Sequence, residues 1–185
     1  MHLFFKLACL TLMPVLSHVA IAQAPELAPS VTFPVVVSYD LNKLKVTLPS
    51  DLKGDLNLLL IPFEREQQAD ADSWLPMAKE IEATHPALRH YMLPVFAKEN
   101  FLYRWWINSS MRSDAVDDQQ RQVTIPLYIN RQPFLKQLQI ASDRQVSALL
   151  VRKDGHVIWR ATGAMTPEKR ASLESVLAPS GKTGR

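Results

Sequence analysis

Glu64, Glu66, Asp70 and Asp72 crowd one stretch of the chain, directly after an apolar run at 56–63. Paired carboxylates can share a proton or hold a hard cation. Open α/β sheets take their ligands at the carboxyl ends of strands, which is where this stretch falls. The spacing matches no calcium loop, and no glycine supplies the sharp turn such a loop needs. A solvated acidic loop leading into a helix satisfies the same residues, because acidic side chains near a helix start are favourable. Ser73 stands beside it without a G-x-S-x-G elbow or a histidine partner, so capping explains it better than nucleophilic attack. His85, His90 and His156 form no H-x-H or H-E-x-x-H pattern, which leaves a zinc site unsupported. Arginines and tryptophans offer another chemistry. Trp105 and Trp106 are adjacent, with Arg104 and Arg112 close by, a composition suited to a protein contact. Arg65, Trp74, Trp106 and Arg112 are the residues expected to form a protein-binding surface.

The elements that must position these residues follow from pattern. Stretches 35–39 and 44–48 read as an N-terminal hairpin. The continuous apolar run at 56–63 reads as a strand buried on both faces. Trp74, Met77, Ala78 and Ile81 then recur on one helical stripe, capped by Asp72 or Ser73 and stopped at His85-Pro86. A strand at 89–96 follows, with Pro94 marking its end or an edge. A helix over 101–111, a polar loop at 113–122, an edge strand at 123–129 and a short helix at 134–140 come next. The last third is a strand at 147–153, an Asp154-Gly155 turn, a strand at 156–161 and a closing helix. Thr166 caps that helix, and Leu173, Val176 and Leu177 face the sheet from it. Strands alternating with helices imply a βαβ unit, and the hairpin adds antiparallel strands. The expected architecture is a single α/β domain over 35–178, a mixed central sheet flanked by helices, followed by a frayed tail at 179–185.

The first 22 residues read as a signal peptide. Lys6 gives the charged start, a stretch without formal charge follows, and Ala20-Ile21-Ala22 presents small residues for cleavage before Gln23. Retention as a membrane anchor is the alternative, with Pro14 and His18 against it. Residues 23–34, holding Pro25, Pro29 and Pro34, read as an extended tether. The expected location is therefore periplasmic or secreted. Cleavage removes Lys6 alone among charged residues and lowers the net charge from +3 to +2. So mild a balance argues against nucleic acid as a partner. The chain has 1 cysteine, Cys9, which lies within the leader. The exported protein is thus expected to carry no disulfide and no thiol, and must be stabilised by an ordinary apolar core.

Three segments carry a resemblance: KVTLPSDLKGDLNLLLIPF at 45–63, SWLPMAKEIE at 73–82 and ALLVRKDGHVIWRATG at 148–163. Together they resemble the thioredoxin-like superfamily over roughly 44–178. WWINSSMR at 105–112, TIPLYINR ending on Arg131, and DGHVIWRATG are similar to one branch. That branch is the assembly-factor family for the membrane sector of mitochondrial ATP synthase, with its bacterial relatives. Two departures bear on function. Redox members of the superfamily place Cys-x-x-Cys at the start of the first long helix, where this chain has Gln67 to Trp74. They place a proline just before the penultimate strand, where this chain has Gln145-Val146-Ser147. The resemblance thus implies a scaffold without its thiol chemistry and without a cofactor. The expected function is a binding or assembly factor for a protein partner in the cell envelope, possessing no evident catalytic residue. A thiol-independent enzyme or small-ligand binder using the acidic loop 64–72 is the alternative.

Overall fold

The structure, a computed structural model, describes residues 30–97 and 118–178. β1 (Val36–Tyr39) and β2 (Lys45–Leu48) form an antiparallel hairpin. β3 (Leu56–Ile61) is the central strand. A 3-10 turn (Arg65–Gln67), α1 (Gln68–Asp72) and α2 (Leu75–Thr84) carry the chain over to β4 (Leu88–Met92), which pairs parallel with β3. β5 (Val95–Ala97), α3 (Asp118–Val123), β6 (Leu127–Ile129) and α4 (Arg131–Gln137) follow. β7 (Ser147–Arg152), β8 (Val157–Thr162) and α5 (Pro167–Leu177) close the chain.

The main sheet has the order β4-β3-β7-β8, with β7 antiparallel to both neighbours. One expected strand at 89–96 is two, broken at Leu93-Pro94. Pro94 has no N–H to give the ladder. Its carbonyl still accepts from Leu127 at 2.8 Å, and β5 runs parallel to β6 beyond it. A bridge between Met92 and Thr124 continues that pairing back to β4, so 124–129 lines the outer side of 92–97.

β3 is packed on both faces, as its unbroken apolar run requires. Leu59 and Ile61 enter one core with Phe33, Leu48, Phe134, Leu138 and Leu149. Leu58 and Leu60 enter the other with Trp74, Met77, Ile81, Leu150 and Leu173. Each such leucine stabilises the fold by about 1.5–3 kcal/mol. Gly54 sets the entry to β3. A Cβ there would lie 2.4 Å from the Leu56 carbonyl oxygen, so only glycine fits, and Asn57 brackets it with hydrogen bonds to its N–H and from its own amide to the Gly54 carbonyl.

Several expectations need correction. Residues 31–33 do not serve as tether. Val31 and Phe33 are buried, and they pair with the turn and start of β8 through Phe33 N–H to Gly155 O and Val157 N–H to Val31 O, both 2.8 Å. The polar stretch at 113–122 is helical from 118 onward. Val176 points outward while Leu173 is buried and Leu177 packs against the core edge. The expected helix at 101–111, the leader and the tail lie outside the described residues. Thr166 does cap α5, its side chain accepting from the Lys169 N–H. Among the described residues no helix is long and apolar enough to cross a membrane.

Candidate functional site

Three segments meet at the carboxyl end of β3: the turn into α2, the loop before β7, and the loop after β8. Phe63 leaves β3 and its N–H donates to Gln67 Oε1 at 2.9 Å. Gln67 is buried and passes its own amide to the Asp143 carbonyl at 2.7 Å. The α2 approach is thereby joined to the loop before β7. Arg131, the first residue of α4, completes the bridge. Its Nη2 donates to the Phe63 carbonyl at 2.7 Å, and its Nη1 reaches Glu64 at 2.5 Å and Asp143 at 3.1 Å. The guanidinium also lies 6.0 Å from the centre of the Phe63 ring. Burial works against the Arg131 charge, but the hydrogen bonds and charges of Glu64 and Asp143 outweigh it and hold its pKa above the ordinary value.

The start of α2 is closed by Trp74. The expectation that it forms part of a binding surface is wrong: it is 0% exposed. Its Nε1–H donates to the Gly163 carbonyl at 3.0 Å, and its ring meets Trp159 edge-on at 6.1 Å. Gly163 holds a left-handed backbone at φ 75° and donates its N–H to the Val146 carbonyl at 2.8 Å. A buried indole needs a partner for its N–H, and this one finds it on the far loop. Ser73 does not cap α2, which has no side-chain cap. Its hydroxyl donates to the Asp70 carbonyl at 2.6 Å and accepts from the Met165 N–H at 3.0 Å. The hydroxyl is thus held between two backbone groups.

The acidic stretch does not converge on a point. Glu64 turns to Arg131, and Asp72 accepts from Gln68 at 2.8 Å. Among the described residues no group of three or more His, Cys, Asp or Glu side chains is placed to hold a metal ion. Arg65 is exposed, and its side chain makes no hydrogen bond or ion pair with a described residue. Trp106 and Arg112 lie outside the described residues. Arg131, Gln67 and Asp143 went unrecognised as site residues in the sequence. The one available signal was Arg131 itself, a cation at a helix start, where the dipole disfavours it unless carboxylates compensate.

This sheet order, with the crossover helix entering at the end of the central strand and a closing hairpin and helix, defines a thioredoxin-like α/β fold. The chain superposes on the thioredoxin domain of a thiol-disulfide oxidoreductase from Bacteroides vulgatus with a TM-score of 0.52 and 13% identity, covering 83% of this chain and 100% of that one. It superposes on BsSco, a member of the Sco family of cytochrome c oxidase assembly proteins, with a TM-score of 0.53 and 15% identity, covering 80% and 94%. The exposed lipoprotein thioredoxin Etrx1 of Streptococcus pneumoniae gives a TM-score of 0.52 at 13% identity, covering 78% and 98%. Identities this low establish a shared fold and nothing about activity. No protein-family model matches the chain, and no curated protein matches it in sequence.

Proposed function

We propose that the chain is an exported, non-redox thioredoxin-like protein that holds a protein partner in the cell envelope as a binding or assembly factor. One observation carries this reading. The segments that meet at the carboxyl end of β3 are joined by Trp74–Gly163, Ser73–Met165 and the Arg131 bridge, and no cysteine occurs after Cys9. Thiol exchange needs a thiolate. A scaffold lacking one can still present a fixed surface, and the hydrogen-bonded loops fix this one. Two likenesses support an assembly role: the WWINSSMR and DGHVIWRATG segments, and a fold shared with a protein described as a member of an assembly-protein family. The exposed Arg65, beside the Arg131 bridge, and Trp106 and Arg112 are the residues assigned to the partner.

Crosslinking in the native envelope tests the reading. A photo-reactive residue at position 65 or 106 should capture one defined protein, and Arg65→Glu, Trp106→Ala and Arg112→Ala should each reduce its recovery severalfold. Recovery of nothing specific, or variants that capture as well as the parent, overturns it. Fractionation of the same cells should place the chain in the periplasm, or in the membrane fraction if the leader is kept.

A further inference from the structure

The loop 141–146, whose Asp143 meets Arg131, also borders a concavity. It occupies about 640 Å³ between the end of α4, that loop and the face of β7 and β8 that bears Leu149 and Arg160. The size suits a small organic molecule. Ile140 and Leu149 give it apolar walls, and among the described residues Arg144 and Arg160 are its only charged lining residues.

Three observations define what it would take. First, Ser147 lines the cavity, is 1% exposed, and its hydroxyl has no hydrogen-bond partner among the described residues. A buried hydroxyl left unpaired is costly and calls for an explanation. Second, Arg160 is held in place at one end only. Its Nη1 donates to the Leu138 and Gln139 carbonyls at 3.1 and 3.2 Å, capping the end of α4. Its remaining N–H groups have no partner among the described residues. Third, the carboxylate adjacent to Arg144 in sequence, Asp143, is turned away to Arg131. Arg144 makes no ion pair with a described residue, and among the described residues no acidic side chain lines the cavity to neutralise either arginine.

We infer that this cavity is a binding site for a small amphiphilic anion. Its carboxylate or phosphate head sits between Arg144 and Arg160, where the guanidinium forks match either group. Its apolar body lies on Ile140 and Leu149, and a polar atom of it pairs with the Ser147 hydroxyl. None of its lining residues is among those assigned to the protein partner, so the two proposals are tested by different variants.

The test is a titration of the isotopically labelled chain followed by amide chemical shifts, with octanoate as the probe. Octanoate at low millimolar concentration should give saturable shifts confined to 139–149 and 160–162. Octyl phosphate in a parallel arm shows which head group is preferred, and octanol and octylammonium control for apolar and cationic binding. Arg144→Ala changes only an exposed side chain and should weaken octanoate about tenfold, the worth of a charge-assisted hydrogen bond. Arg160→Met should weaken it as much, and Ser147→Ala by a smaller factor. The inference is overturned if neither anion shifts these amides. It is equally overturned if octanol or octylammonium binds as tightly, or if Arg144→Ala and Arg160→Met both bind at parental strength.

Discussion

Arg131 joins residues that the chain holds far apart: its ion pair with Glu64 spans 67 positions, and its bond to Phe63 spans 68. Truncating it leaves a backbone carbonyl and two carboxylates without their donor. Arg131→Ala should therefore destabilise the chain by about 1.5–3 kcal/mol in denaturant unfolding, with Arg131→Lys recovering only part because a lysine cannot fork between the carbonyl and the carboxylates. A loss below about 0.5 kcal/mol would mean the bridge is only a surface pairing. This part of the site was the least legible in the sequence. Long-range partners leave no periodic trace, and the acidic stretch drew attention to its carboxylates instead of the arginine that neutralises one of them. Trp74 was legible as a core residue, since it begins the stripe with Met77, Ala78 and Ile81. Assigning it also to a surface ignored what a large aromatic on that stripe must do.

At the scale of elements, α2 and α5 lie side by side and are tied by charge. Arg170 on α5 grips both carboxylate oxygens of Glu80 on α2 at 2.8 Å each and reaches Glu174 one turn on. The hydrogen bond and charge of Arg170 hold the Glu80 carboxyl below its ordinary value of 4.5. The backbone N–H of His156 does the same for Asp154, and Thr166 does so for Glu168. A carboxyl lowered on folding stabilises the folded chain above its unfolded value and loses that contribution as pH falls through its folded value. Stability should thus fall as pH drops below about 4.5, and Glu80→Gln should flatten part of that loss in melting curves across pH 2–7. All three groups are solvent-exposed, so the effect should also shrink with added salt. The elements themselves were legible wherever pattern and turn chemistry agreed, as in the Asp154-Gly155 hairpin and the Thr166-Pro167 start of α5. They were not legible at 118–123, a helix with no buried residue to impose a stripe.

For the molecule as a whole, the sheet and its two cores account for the fold without any covalent staple. No cysteine is available beyond Cys9, so stability rests on β3 buried from both sides and on the loops bound across its carboxyl end. The chain carrying Cys9→Ser should melt as the parent does, and neither form should reduce insulin disulfides or peroxide in the presence of a thiol reductant. Turnover by the Cys9→Ser chain would contradict the non-redox reading. The pairing of 31–33 with the Gly155 turn has a spatial consequence. That turn stands at the end of the sheet where β3 begins, since Leu56 registers with Arg152. The Arg131 bridge stands where β3 ends, about 20 Å along a strand of 6 residues. Residues 31–33 therefore stand at the pole opposite the bridge. A macromolecule docking against Arg65 would thus meet the molecule at the end of the sheet farthest from where the described chain begins.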